Sequence, residues 1–251
     1  MKEAPVHMTI PRSLSPASRL MALTVLAACG SPPPPAMIVP ALDVEQESLR
    51  SEVATELKRP QRIDFDWRVS QDGLRLSGSG VARVEPPYRA RLDLFLGNGE
   101  RVAAAALVDH DLRLPPGLVS EILPPEHLLW GTLGVFRPGL GTALLGGETV
   151  DGQLRMRYRL ENLDEVHYYL INRQVQRVDI LRGGSVIQDV RLTWDGTGVP
   201  AEAVYRDLTE FRQLTILRKG VENVEPYPPD VWRPGLDRPD GDTAATSGVG
   251  M

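Results

Sequence analysis

The residue types that could do chemistry in this chain are few and scattered. Its four histidines, His7, His110, His127 and His167, are isolated from one another, with no HExxH or other spacing that would gather a metal. No Gly-x-Ser-x-Gly elbow is present to expose a serine nucleophile. Asp64 and Asp66 fall on one face of a strand, as a glycosidase carboxylate pair would, but Arg62 and Arg68 flank them and the four read as a solvated charge ladder. Gly139-Leu140-Gly141 with Gly146-Gly147 has the glycine content of a phosphate loop, yet no Lys-Ser/Thr follows and no clear strand precedes. The residue placed for covalent chemistry is Cys29, the only cysteine, which closes Leu26-Ala27-Ala28-Cys29 at the end of a short apolar run. No enzymatic constellation emerges, and no cofactor or metal is expected.

That tetrapeptide resembles a bacterial lipobox. Lys2, Arg12 and Arg19 make a basic leader, and Leu20 to Ala28 make nine apolar or small residues. As a helix that stretch rises only about 13 Å against a hydrocarbon core of about 30 Å, so it has secretory rather than membrane-spanning proportions. Thr9 to Arg19 is long for a leader, which leaves Met8 as an alternative start. The resemblance implies a signal peptide over 1–28, cleavage before Cys29 and a diacylglycerol on its thiol, with the remainder held to a membrane by lipid outside the cytoplasm. Acylation also removes the oddity of an unpaired thiol in an exported chain. Gly30 stands where an aspartate would signal inner-membrane retention, so the expected place is the outer membrane, facing the periplasm.

The whole chain carries a net charge of −5, and loss of 1–28 with its three basic residues and one acidic residue makes this −7. An acidic balance argues against nucleic acid as a partner and against a polybasic membrane patch. Without cysteine pairs the fold must rest on a hydrophobic core. Residues 29–40 carry the four prolines after Ser31 and read as a stiff stand-off. The folded unit is expected over 41–236, and 237–251, poor in bulky apolar residues, as a disordered tail.

Within that unit, Leu42, Leu49, Val53 and Leu57 share one face of a helix predicted over Ala41 to Lys58, ended by Pro60. The period then changes to two: Ile63, Phe65, Trp67 and Val69 alternate with Arg62, Asp64, Asp66 and Arg68. Gly78 and Gly80 share a face with Leu74, Leu76, Ala82 and Val84, where glycine signals bending or close approach. Hairpin signals follow, above all Gly97-Asn98-Gly99. Glu126 to Phe136 reads as a helix apolar on most of its circumference, and Arg137 to Gly147 as a flexible apolar connection. Strands resume from Leu154. The chain is therefore mainly β with few helices (α+β): a curved antiparallel β-barrel of about eleven strands, closed or partly closed, with an N-terminal helix and a central apolar helix.

This order of elements resembles the LolA/LolB family of lipoprotein carriers. Two stretches carry the likeness: Arg89-Ala90-Arg91-Leu92-Asp93-Leu94-Phe95-Leu96-Gly97, and Leu123-Pro124-Pro125-Glu126-His127-Leu128-Leu129-Trp130-Gly131-Thr132-Leu133-Gly134. The resemblance implies an unclosed half-barrel whose apolar concave face, covered by helices, takes acyl chains of lipoproteins. Phe65, Trp67, Leu76, Leu92 and Leu94 become candidate cavity residues, Trp130, Leu133 and Phe136 candidate lid residues, and Leu96 the candidate membrane-inserting residue, with Phe95 replacing the family's proline. Arg68, Arg75, Arg83 and Arg91 are all eligible for the family's gating arginine. From the residues alone the apolar strand faces fit either a filled core or an open cavity, and Trp130 and Phe136 either core or a movable lid. The expected partners are a membrane, through the lipid; acyl chains or other lipid; and a periplasmic carrier or envelope protein. An alternative reading makes the chain an envelope scaffold or sensor that binds a protein through exposed sheet edges. Palmitate labelling followed by mass measurement checks the anchor: label should enter the wild-type chain and be lost in Cys29→Ala, and an unmodified thiol in the wild type would contradict it.

Overall fold

The computed structural model describes residues 42–115 and 122–234. The expected signal peptide over 1–28, Cys29, the proline-rich stretch expected as a linker and the tail expected from 237 lie outside them. Twelve strands form one antiparallel sheet: β1 (Gln61–Gln71), β2 (Leu74–Glu85), β3 (Arg89–Leu96), β4 (Arg101–Val108), β5 (Asp111–Arg113), β6 (Ala143–Val150), β7 (Gln153–Arg159), β8 (Glu165–Ile171), β9 (Gln174–Arg182), β10 (Ser185–Thr193), β11 (Glu202–Asp207) and β12 (Arg212–Asn223). The order is β5-β4-β3-β2-β1-β12-β11-β10-β9-β8-β7-β6, so β1 pairs with β12 and each other neighbour follows in sequence. No pairing joins β5 to β6, and the barrel stays unclosed.

The strand missing from the sequence reading is β6. Its glycines and leucines carry no two-residue rhythm, because it is an edge strand that slips register between Leu144 and Gly146, with Gly146 at φ +147°. Pairing with β7 makes it a strand where local propensity does not.

Cross-strand register aligns the inward side chains in rows. One row runs Val69, Leu214, Tyr205, Val190, Val178, Tyr168 and Met156 across seven strands, all buried. Another pairs Phe65 with Gly80 and Gly80 with Leu94. The glycines on β2 serve close approach, as their position in the apolar face foretells. A Cβ on Gly80 would lie 2.2 Å from Cε2 of Phe65, and one on Gly78 would lie 1.9 Å from the Phe95 carbonyl oxygen.

Helix α2 (Glu126–Thr132) fills the concave face, burying Leu128, Leu129 and Trp130. It is shorter than the predicted 126–136. The amides of Gly134 and Val135 turn back to the carbonyls of Gly131 and Trp130 at 2.9 and 3.0 Å, with Gly134 at φ +77°. Gly131 lets the helix approach β9, since a Cβ there would lie 2.9 Å from Cγ2 of Val178.

Helix α1 (Val44–Thr55) docks on the opposite face from the one its pattern suggests. Leu49 and Val53 are each 64% exposed, and Leu42 is exposed too, whereas Ser51 is fully buried. With α2 already occupying the concavity, α1 docks by Val44 against the core and otherwise by polar contacts. Ser48 hydrogen-bonds the Tyr158 hydroxyl at 2.6 Å, and the Phe136 amide donates to Thr55 Oγ1 at 2.9 Å. Leu57, beyond the helix, does pack on the core.

Outside the sheet, a 3₁₀ turn at Pro229–Trp232 covers β3 and β4. Arg91 donates to the Val231 carbonyl at 2.9 Å and, with Arg83, to Asp93 at 2.9 and 2.7 Å. Arg91 and Asp93 are buried beneath this turn. Gly80→Ala is expected to destabilise by about 1–3 kcal/mol through overpacking against Phe65. Gly97→Ala, whose Cβ meets nothing within 4 Å, should leave the denaturant midpoint in place.

Candidate hydrophobic-ligand site

Most of the concavity is solid. Trp67 donates its indole N–H to the carbonyls of Ser79 and Phe95 at 2.8 and 3.1 Å, and Trp130 donates to the Asp109 carbonyl at 2.9 Å. Phe136 meets Tyr168 edge-on at 4.7 Å between ring centroids. Burial pushes the Tyr158 hydroxyl up to about 12.

Space remains where α2 stops. A throat of about 30 Å³ lies between Thr132–Leu133 and the strands, walled by Ile63, Phe65, Ala82, Leu92, Ala203 and Ile216. It has room for a water or two. Sharing Ile63, Leu133 and Val199 with it is a larger cleft of about 380 Å³. The end of α1 and the residues after it (Ala54, Thr55, Leu57) form one side of the cleft. Leu133 to Val135 form its floor, and Asn172 to Gln174 with Trp194 and Thr197 to Val199 form the other side. The β10–β11 connection holds this shape: Trp194 donates to the Val175 carbonyl at 2.9 Å, and Arg218 of β12 reaches across to Asp195 and Thr197. Gly134 exists partly for this contact, because a Cβ there would lie 2.4 Å from the Trp194 ring.

A single curved antiparallel sheet, open at one seam and filled by a short apolar helix, matches a LolA superfamily protein from Nitrosomonas europaea with a TM-score of 0.52 at 10% identity, over 76% of this chain and 98% of that one. The chain has a LolA-like fold. It also matches a DUF1329 family protein from Desulfovibrio piger (TM-score 0.45, 9% identity, 76% of this chain and 98% of that one). A third match is a putative outer membrane lipoprotein-sorting protein domain from Vibrio parahaemolyticus (TM-score 0.43, 9% identity, 75% and 97%). No protein-family model and no curated protein sequence matches the chain.

Within this LolA-like frame the residues singled out from the sequence separate into groups. Phe65, Leu92 and Leu133 line the throat. Trp67, Leu94, Trp130 and Phe136 lie in the packed core away from it. Leu76 is 39% exposed near the β1–β2 tip, because no helix covers the sheet there. Leu96 does not protrude: it is half-buried against the core, and the tip beyond it is the polar Gly97-Asn98-Gly99, closed by a 2.8 Å bond from the Leu96 amide to the Glu100 carbonyl. Large apolar side chains that do protrude at hairpin tips include Phe211, 80% exposed between β11 and β12, and Leu163, 78% exposed between β7 and β8. Pattern reading missed Trp194 and Val199, whose loop has no period, and did not single out Ile63, whose alternation with Phe65 was the available signal.

Other polar groups are structural. His110 pairs with Glu126 and His167 with Glu165, each at 2.8 Å, and among the described residues no three His, Cys, Asp or Glu could hold a metal together. Asp179 and Asp189 face each other across β9 and β10, with Arg177 and Arg206 as partners; burial raises the Asp179 carboxyl.

Arg137 is the strongest tie at the cleft end. Its guanidinium lies 3.8 Å from the Tyr88 ring centroid and pairs with Glu52 of α1 and Asp109 of the β4–β5 turn. Its carbonyl accepts from the Tyr168 hydroxyl at 2.8 Å. One residue thus joins α1 to strands on both sides of the seam. Arg137→Met should cost about 2 kcal/mol by leaving Glu52 and Asp109 without their cation, and proteolysis within α1 should speed up. Unchanged stability and cleavage would show that the clamp is idle.

Proposed function

We propose that this chain is a non-enzymatic, lipid-anchored envelope protein that holds an acyl chain or similar hydrophobic ligand at the α1 end of its LolA-like half-barrel and passes it to a membrane. The observation that carries this reading is the cleft of about 380 Å³ that shares Ile63, Leu133 and Val199 with a mostly apolar throat at the end of α2. Its volume lies within the range of small-ligand sites, and apolar burial supplies roughly 25 cal/mol per Å² without demanding a particular ligand shape. Deeper entry requires α2 to move, and the left-handed Gly134, Gly139 and Gly141 that follow it provide the hinge. Cys29 carries the anchor, the outer membrane facing the periplasm is the place, and lipoprotein transport to that membrane is the finer form of the proposal. Leu133 is the residue best placed to gate the throat.

A second reading, a scaffold for a protein partner, is favoured by the outward Leu49 and Val53, which form a shallow hollow with Arg173. Solvent extraction of the purified Cys29→Ala chain, which lacks the covalent lipid, separates the two. Co-purified acyl lipid is expected, and Leu133→Arg should deplete it severalfold without unfolding the protein. A lipid-free protein that instead retains a stoichiometric polypeptide would overturn the carrier reading.

A further inference from the structure

We infer that the cleft selects a single-chain amphiphile with an anionic head group; this rests on the hydrophobic-ligand reading above and specifies its substrate class. The chain as a whole has more acids than bases, 33 against 28. The residues lining the cleft reverse this: Lys58, Arg59 and Arg173 are there, and no aspartate or glutamate is. The same lining carries the apolar Ile63, Val84, Leu133, Val135 and Trp194, with Thr55, Gln61, Asn172, Gln174 and Thr197 as uncharged polar neighbours. Cations beside apolar side chains fit a head group and a tail, and a cleft of about 380 Å³ has room for one tail rather than several.

The turn that supplies Arg173 strengthens the case. Among the described residues, four hairpins have two-residue turns with both residues left-handed: Asp72-Gly73, Asp151-Gly152, Gly183-Gly184 and Asn172-Arg173. Three place glycine second, as this turn type favours. The fourth holds arginine at φ +60°, a conformation that L-residues other than Asn and Asp adopt rarely. The turn itself gains nothing from that side chain. Arg173 Nε bonds Glu47 at 2.8 Å, which Arg50 also pairs with, while its terminal nitrogens make no hydrogen bond among the described residues. Lys58 is held at the mouth by Glu56 and the Val53 carbonyl, at 3.2 and 2.9 Å. Arg59 has no ion pair among the described residues and is exposed, so a ligand need break no existing bond to reach it.

Calorimetric titration of the Cys29→Ala chain with myristate, with 1-monomyristoylglycerol of the same tail, and with acetate or inorganic phosphate tests this. Myristate should bind at least about tenfold more tightly than the monoglyceride, and salt should weaken that preference. The tail-less anions should not compete. Arg59→Glu with Arg173→Gly should abolish the preference by weakening myristate at least severalfold more than the monoglyceride. Glycine suits the turn, so Arg173→Gly alone should melt no lower than the parent. Equal affinity for myristate and monoglyceride, or competition by the free anions, overturns the head-group inference and leaves the hydrophobic reading standing. Binding of neither lipid overturns both.

Discussion

The concave face of the sheet cannot remain wet. Seven of the twelve strands carry the row from Val69 to Met156, all apolar or aromatic, and an unclosed sheet of this width cannot cover them by folding on itself. A helix must therefore enter, and α2 is built for it. Its Leu128, Leu129 and Trp130 are fully buried, the Trp130 N–H is satisfied by the Asp109 carbonyl, and Thr132 returns its hydroxyl to the carbonyls of Leu128 and Leu129. Gly131 on the helix and Gly80 on β2 remove the Cβ atoms that would hold the layers apart.

The same constraint creates the site. Helix α2 is only seven residues long, and Gly134 reverses the chain before the helix reaches the end of the concavity. At this end it leaves unfilled the throat and the cleft beyond, and a more polar cleft of about 540 Å³ lies at its other end beside His127, Leu160 and Ile180. Helix α1 then roofs that end through Ser48, Thr55 and Glu52, side chains able to meet the hydroxyls, amides and guanidinium exposed there. Its apolar stripe is left facing outward as a by-product of this arrangement. The ligand space and the unpartnered surface of α1 therefore arise from a single shortfall in helix length.

Much of the architecture was legible because β-strands with one dry face announce themselves. Ile63 to Val69 alternate with charged residues, and the paired glycines on β2 foretold close approach. The eleven strands expected became twelve because β6 is defined by its partner and not by its own residues. Orientation was harder. Leu42, Leu49 and Val53 sit at core-helix spacing, but sequence periodicity says which residues share a face and not whether that face finds a vacancy. The site was legible only in part for a similar reason. Phe65, Leu92 and Leu133 belong to regular elements and line the throat, whereas Trp194, Val199 and Arg173 come from turns whose positions depend on the completed sheet. Leu96, offered as a membrane-inserting residue by the family resemblance alone, sits half-buried against the core, with Gly97-Asn98-Gly99 forming the tip.

The central claim is that ligand enters beside Leu133 while the rest of the concavity stays closed. Methyl-resolved NMR of the protein titrated with a single-chain acyl lipid reads this residue by residue. Ile63, Leu133, Val135 and Val199 should shift or broaden together, with Leu94, Val178 and Val190 unmoved. Shifts confined to Leu49 and Val53 on the outside of α1, or none at all, would contradict it.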